Sequence, residues 1–290
     1  MGYNGYNPME NRMARQIDSG GTFETNPTVR LAYEKAQKLF REHAIQPKNF
    51  GDLYDQKAIQ ADLAKVDHLK SNVFETGSGK IAADILEGIV FDQIELSNWF
   101  GSHAHTLKTS EFDDIVNGVD LIVEFDEPES RKAHLALGVD ATYGADTISK
   151  KFGRIKRDID QDRLATIKYF ESGDGRIKGR LTQVPRIVLG VERGTVLSLA
   201  RAWTEGRKGE LAVHPVQELL LKQARSQLTV FAHYARMRGR HESRRSYDEA
   251  LAIVNGISGE KGLTVSSESV REMLADKVHL EILEQLDTFR

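Results

Sequence analysis

Cysteine is absent from this sequence of 290 residues, which excludes a disulfide framework, a catalytic thiolate and a zinc site built on cysteine. No apolar run approaches the roughly 20 residues of a membrane-spanning helix, and the start of the chain lacks the pattern of a signal peptide. There is no basic excess either, because 40 lysines and arginines face 43 aspartates and glutamates. This balance does not by itself indicate nucleic acid, but local clusters of charge can still bind it. We therefore expect a cytoplasmic protein without a membrane partner.

The chain does contain enough apolar sequence for a packed core, since 40% of its residues are hydrophobic. Its length fits one large domain, or one domain with helical additions. We expect a flexible tail over 1–26, a helical N-terminal extension over 27–77, an α/β core over 78–192 and a helical C-terminal region over 193–290 that packs on the core. Apolar residues at helical spacing predict helices over 28–43, 55–70, 216–235, 247–255 and 267–288. The last of these either covers the core or mediates self-association, as in a homodimer.

A glycine-rich segment, Thr76-Gly-Ser-Gly-Lys80, matches a phosphate-binding loop only in part. That loop needs a glycine where Phe74 stands and a serine or threonine where Ile81 stands. A nucleotide-using enzyme is therefore disfavoured, and Ser78 suits the start of the helix that follows.

The helix predicted over about 80–98 carries an acid in an unusual place. Asp84, Gly88, Asp92 and Glu95 share one side, which we interpret as a solvated face. Glu87 is different, because its neighbours at helical spacing are Ala83, Val90, Phe91 and Ile94. A carboxylate among apolar side chains needs a cation, a metal or a hydrogen-bond partner, unless it reaches solvent at the edge of the helix.

A three-strand meander is predicted next. Asn117-Gly118 between β-branched runs is typical of a two-residue hairpin turn, which gives strands over 112–116 and 119–125. A third strand follows over 134–142. We expect a loop at His103-Ala-His105, since no third metal ligand is close to the two histidines in sequence.

Two aspartates are expected at one edge of this meander. Asp120 begins the second strand and Asp140 ends the third, and antiparallel pairing brings those ends together. Close carboxylates repel each other unless a proton or a cation lies between them, and Mg²⁺ (or Mn²⁺) is the hard ion that such oxygens bind. The alternative is a pair of exposed acids at strand ends. We assign Asp113 and Asp114 mainly structural roles, with Asp114 facing away from Asp120.

A second helix, from about 147, has the apolar stripe Ile148, Phe152, Ile155 and Ile159, and a short buried strand is predicted over 184–191. The order of helix, three-strand meander, helix and strand, with acids at Glu87, Asp120 and Asp140, resembles the PD-(D/E)XK (restriction-endonuclease-like) nuclease superfamily. The resemblance covers about 115 residues, from about 78 to 192. It implies an αβββαβ core with a mixed sheet, in which these acids bind Mg²⁺ and hydrolyse phosphodiester bonds, and the carbonyl of Ala141 is a further candidate ligand.

Two positions depart from the motif of that superfamily. Val119 stands where the motif has proline, and Thr142 stands where it has the catalytic lysine. Threonine carries no charge with which to stabilise the transition state. Either the site is inactive, or a lysine from the next helix replaces it, and Lys151 is the one that faces the sheet.

Basic residues are concentrated over 150–157, 176–186 and 236–245. Such clusters supply the phosphate contacts that dominate affinity for nucleic acid, although each could instead be a solvated helix face. The candidate nucleic-acid-binding residues are Lys150, Arg154, Arg157, Arg236, Arg238 and Arg240. The sequence thus predicts a Mg²⁺-dependent nuclease that acts on DNA in preference to RNA. The alternative is an inactive protein of the same fold that serves as a nucleic-acid-binding or scaffold module.

Overall fold

The secondary structure mixes helices and strands, as the sequence predicts. A computed structural model describes residues 23–72, 78–126, 132–140, 145–260 and 274–290. In chain order, the helices are α1 (Pro27–His43), α2 (Gln56–Asn72), α3 (Ser78–Leu96), α4 (Glu111–Ile115), α5 (Ala145–Asp160), α6 (Arg193–Thr204), α7 (Lys208–Ala212), α8 (Val216–Met237), α9 (His241–Glu260) and α10 (Lys277–Leu286), with 3-10 turns at Pro47–Phe50 and Asp287–Phe289. The strands are β1 (Ala104–Lys108), β2 (Leu121–Asp126), β3 (Lys132–Asp140), β4 (Ala165–Glu171), β5 (Lys178–Val184) and β6 (Arg186–Gly190).

The main sheet has the strand order β1-β2-β3-β6. The first three strands form an antiparallel meander, with Leu121 of β2 opposite Lys108 of β1 and Leu137 of β3. β6 then pairs parallel to β3, with Asp140 opposite Gly190. A parallel neighbour needs a long crossover, and here the chain makes it through α5 and the β4–β5 hairpin. The prediction of an α/β protein is therefore confirmed.

The first strand of the meander does not lie where the sequence analysis placed it. Residues 111–115 form the short helix α4, and β1 lies upstream over 104–108, where we expected a loop. Ser110 caps α4 by accepting a hydrogen bond from the backbone N–H of Asp113, and the Asp113 carboxylate accepts two more from the backbone of β4. These bonds favour a helical turn over a strand. Gly118, at φ 63°, still makes a turn, but it joins α4 to β2.

The helix α3 lies deep in the protein and has no fully solvated face. Asp84 is buried, and Gly88 packs so closely against Ala36 that an added Cβ would lie 2.8 Å from the Ala36 Cβ. Asp92 accepts a hydrogen bond from the indole of Trp203. The predicted solvated face is therefore wrong for this side of the helix, because α1 and α6 cover it.

A second hairpin, β4–β5, covers the face of the sheet that bears Ile122. Its side chains Ile167 and Phe170 pack with Ile122 in a separate apolar cluster. The sequence analysis did not predict these two strands. Their exposed residues alternate irregularly, and the pairing contains register shifts.

The remaining helices close the core around β6. Gln223 of α8 forms hydrogen bonds with both the N–H and the carbonyl of Gly190 in β6, and Gln227 does the same with Val188. The two side chains therefore pair the backbone groups on the free edge of that strand. The helices predicted over 28–43, 55–70, 216–235 and 247–255 are confirmed, with shifts at their ends.

Both ends of the described chain are anchored in the core. Val278, Ile282 and Leu286 of α10 are buried, so the last helix covers the core, while 267–273 lie outside the described residues. The expected tail over 1–22 also lies outside them, but Phe23 is already buried and Asn26 caps α1. None of the helices in the described part of the chain is long and apolar enough to cross a membrane.

Candidate functional site

A buried cluster of charges forms where α3, β1 and α4 meet. Glu87 projects from α3 and Lys108 ends β1, and each is less than a tenth exposed. The ammonium of Lys108 lies 2.8 Å from Glu87 Oε1 and 2.8 Å from Asp114 Oδ2. The partner that the apolar surroundings of Glu87 require is therefore a lysine, and the alternative of a carboxylate that reaches solvent is wrong.

Asp120 belongs to the same cluster. Its backbone carbonyl accepts hydrogen bonds from Lys108 Nζ at 3.1 Å and from the Thr109 hydroxyl at 3.0 Å. Its carboxyl lies close enough to those of Asp114 and Glu87 to influence the pKa of both. Two of the three predicted acids, Glu87 and Asp120, thus converge, and Asp114 joins them although we expected it to face away.

The pKa values in this cluster reflect three carboxyls that share one ammonium. Burial raises the pKa of Glu87 to about 8, with help from Asp120 and Asp114, although Lys108 opposes the shift. Burial alone would lower the pKa of Lys108, but the surrounding carboxylates hold it above its ordinary value. Burial would raise the pKa of Asp114, but Lys108 outweighs this effect and lowers it. Lys108 therefore remains charged at neutral pH, and Glu87 takes up a proton more readily than Asp114.

The cluster forms the floor of a cavity of about 680 Å³. Its walls come from α1, α2, α3, α4 and the segment that follows α1. The lining residues are Tyr33, Gln37, Phe40, Arg41, Ala44, Ile45, Gln46, Pro47, Leu63, Leu69, Lys70, Lys80, Asp84, Glu87, Lys108, Thr109, Glu111, Asp114 and Ile115. Lys80 forms an ion pair with Asp84 at 3.2 Å, and Lys70 with Glu111 at 2.7 Å. The cavity is therefore lined by both carboxylates and cations, and Lys70 and Lys80 are each paired with an acid.

Asp140, the third predicted acid, is the last residue of β3 and pairs with Gly190. Because β2 begins at Leu121, opposite Leu137, Asp120 and Asp140 belong to the same end of the sheet. The structure describes the backbone of Asp140 but not its side chain, and Ala141 and Thr142 lie outside the described residues. Lys151 is half-buried on α5. Its predicted catalytic role stays a prediction.

A metal site can be assessed in part. Among the described residues, no group of three or more histidine or acidic side chains has the arrangement of a metal site. Glu87 Oε1 is nevertheless a buried oxygen that receives no well-directed hydrogen bond from them, even with Lys108 close by. Together with the carboxyl pair of Asp114 and Asp120, it offers the hard oxygen donors that Mg²⁺ prefers. Metal binding by these oxygens therefore stays a prediction.

The predicted nucleic-acid-binding residues of α5 differ in their exposure. Lys150 and Arg157 are exposed. Arg154 is partly buried and donates a hydrogen bond to the Val116 carbonyl at 2.8 Å, beside the buried Arg186, which bonds the next two carbonyls. Burial and the neighbouring Arg186 lower the pKa of Arg154. Arg154 thus helps to hold the turn before β2.

The predicted residues at the end of α8 are mostly engaged on the surface. Arg236 contacts His233 at 2.8 Å, and Arg238 forms an ion pair with Asp160 at 3.1 Å. Arg240 is half-buried just beyond the helix. None of the six predicted residues is among the described residues that line the cavity.

Sequence analysis missed Lys108 as a site residue. The signal was present in β1, where Ala104, Thr106 and Lys108 alternate with more exposed neighbours and are all buried. Because we predicted a loop there, we did not interpret this alternation as a strand. No protein-family model, curated protein or solved structure matches the chain.

Proposed function

We propose that the protein is a divalent-metal-dependent nuclease that hydrolyses phosphodiester bonds, in DNA in preference to RNA. The observation that carries the proposal is the convergence of Glu87 and Asp120 on one buried lysine, Lys108, beside a cavity that Glu87 and Lys108 line. These residues come from three different elements of the fold. Buried acids with shifted pKa values in a cavity are typical of catalytic sites.

The order of elements also supports the proposal. The helix α3, the antiparallel meander β1-β2-β3, the helix α5 and the parallel strand β6 follow one another as in the core of the PD-(D/E)XK superfamily. We infer a restriction-endonuclease-like core on this basis. The positions of Glu87 in the first helix, of Asp120 immediately before the second strand and of Asp140 at the end of the third strand support this inference.

We propose that Asp120, Asp140 and Glu87 hold the Mg²⁺ (or Mn²⁺) ion. When bound, such an ion polarises the phosphate and makes water a better nucleophile. Glu87, with its raised pKa, can accept a proton in the neutral pH range. Bringing a cation close would favour its ionised form.

Lys108 supplies a positive charge that Thr142 cannot. Because its ammonium stays protonated, it would stabilise negative charge on the phosphate and would not act as a base. Lys151 is the second candidate, from the other side of the sheet end. The proposal includes a cytoplasmic location and no membrane partner, as the sequence predicts.

The second candidate is an inactive protein of this fold that binds nucleic acid or serves as a scaffold. One observation favours it. Lys108 already lies within 2.8 Å of both Glu87 and Asp114, so a protein cation partly neutralises the acids. In that case the cluster is a buried ion network and needs no metal.

Metal binding and cleavage separate these two candidates. Mg²⁺ and Mn²⁺ would be titrated by calorimetry into the wild type, Asp120→Asn and Asp140→Asn, and each protein would then be incubated with labelled DNA and RNA. Glu111→Gln is the matched control, because Glu111 lines the same cavity but is exposed and pairs with Lys70. Thermal unfolding would confirm that each variant is folded.

The nuclease reading predicts that both aspartate variants lose metal binding and at least roughly 100-fold in cleavage rate. Glu111→Gln should stay near the wild type. Lys108→Met and Lys151→Ala would then show which lysine assists the reaction. If the wild type neither binds metal nor cleaves, the enzyme proposal fails and the binding module is retained.

A further inference from the structure

We propose that the cavity above Glu87 and Lys108 receives an unpaired DNA strand and excludes duplex DNA. This inference names the substrate of the proposed nuclease site, so it rests on the proposed function. It follows from the size of the cavity, from the apolar side chains on its walls and from an exposed arginine beside them that forms no ion pair within the described part of the chain.

The size of the cavity fits one or two nucleotides. Its volume of about 680 Å³ lies within the roughly 300–1,000 Å³ of pockets that enclose a small molecule. The lining residues come from α1, α2, α3, β1, α4 and the segments next to them. The major groove of B-DNA alone is about 12 Å wide, so a whole duplex is far larger than this space. A base must therefore leave its pair before its backbone can reach the acids.

The walls carry side chains on which a base can stack. Tyr33 and Phe40 of α1 are only half-buried and line the cavity together with Leu63 and Leu69 of α2. Leu63 is 36% exposed, although it lies beside other apolar groups. The ring of Phe40 lies 5.1 Å from Lys108 Nζ, so an apolar wall reaches down to the charged floor. Aromatic platforms of this kind bind unpaired bases with little sequence preference.

Arg41 provides the phosphate contact. It is exposed at the end of α1, lines the cavity and forms no ion pair with any described residue. The other cations of the wall, Lys70 and Lys80, are each paired with an acid. A guanidinium can bind two phosphate oxygens at once, which suits a strand that enters past α1.

Binding can be measured separately from cleavage. A fluorescent oligodeoxythymidine, alone or annealed to its complement, would be titrated into the full chain in EDTA and again with Ca²⁺. The variants are Arg41→Ala and Tyr33→Leu. Arg30→Ala is the matched control, because Arg30 lies on the same helix but pairs with Glu34 and is not among the described lining residues. Tyr33→Phe keeps the ring and tests stacking.

We expect the single strand to bind at least roughly 10-fold more tightly than the duplex. Arg41→Ala and Tyr33→Leu should each weaken single-strand binding by roughly 5-fold or more, while Arg30→Ala and Tyr33→Phe stay within about 2-fold of the wild type. Equal affinity for both forms, or unchanged affinity in Arg41→Ala and Tyr33→Leu, would overturn the inference.

Cleavage assays with Mg²⁺ or Mn²⁺ distinguish a failure of this inference from a failure of the nuclease proposal. If the wild type cleaves closed circular duplex as fast as single strands, the nuclease proposal holds and the cavity does not select unpaired DNA. If nothing is cleaved, but single strands bind selectively through Arg41 and Tyr33, the site is a single-strand binding site without the nuclease activity. Selective cleavage of single strands supports both.

Discussion

Replacing Lys108 with methionine tests the central electrostatic feature of the structure. Methionine has a similar volume and no charge, so Lys108→Met leaves packing nearly intact and removes the one ammonium that three carboxyls share. The buried Glu87 and the half-buried Asp114 would lose the cation that lies 2.8 Å from each of them. The variant should therefore lose stability because of uncompensated charge and not because of a cavity.

The size of the loss follows from burial. Lys108 and Glu87 are 6% exposed, and breaking a buried ion pair from one side typically costs about 3–5 kcal/mol. An exposed pair is worth far less. In the matched control, Lys38→Met removes the exposed Lys38–Glu42 pair of α1, which should cost about 0.5 kcal/mol or less.

The loss should depend on pH with a definite sign. The pKa of Glu87 is raised in the folded state, so protonation of Glu87 stabilises the folded protein relative to the unfolded one. This stabilisation is fully present below the ordinary pKa of a glutamate and is lost as the pH rises through about 8. Without Lys108 the pKa of Glu87 rises further. In mild acid, protonation of Glu87 removes its uncompensated charge. Lys108→Met should therefore be more destabilised at pH about 9 than at pH about 6.

Urea unfolding of the wild type, Lys108→Met, Glu87→Gln and the double variant provides the measurement. The double-mutant cycle should give a coupling energy above about 1 kcal/mol between Glu87 and Lys108. A Lys108→Met variant within about 1 kcal/mol of the wild type at every pH, or a coupling near zero, would refute the proposed ion network.

Three further predictions concern stability, each measured by urea or thermal unfolding. Gly88→Ala should lose about 1–3 kcal/mol of stability, because the new methyl group meets Ala36. Its control, Gly256→Ala in α9, has open space around the new methyl group and should gain up to about 1 kcal/mol. Equal effects of the two substitutions would contradict this packing. Gln227→Ala should lose about 1–3 kcal/mol by leaving buried backbone groups of β6 without partners, and a neutral effect would show that the strand edge needs no cover. Burial raises the pKa of Asp276 to about 6, so its contribution to stability should fall as the pH rises from about 4 through 6, and Asp276→Asn should abolish that slope.

The helices and their apolar faces could be predicted from the sequence. In α5, Ile148, Phe152, Ile155 and Ile159 recur at helical spacing, and all four are buried. The third strand and the parallel strand after it were also predicted, since both are short apolar runs bounded by polar residues or turns. These elements depend on local periodicity, which a single sequence displays directly.

The first strand of the meander could not be placed from local signals. Asn117-Gly118 favours a hairpin, but the carboxylate of Asp113 bonds backbone N–H groups of β4, far along the chain, and fixes a helical turn before the glycine. A bond between distant segments has no local signature in the sequence.

Two acids of the candidate site, Glu87 and Asp120, were identified from the sequence, but Asp114 and their shared partner were not. Glu87 was conspicuous because apolar residues surround it on its helix, and a buried carboxylate must find a partner. The sequence determined that need. Only the tertiary structure, by placing the end of β1 against α3 and beside α4, decided that the partner is Lys108, because a contact between separate elements is set by how they pack together.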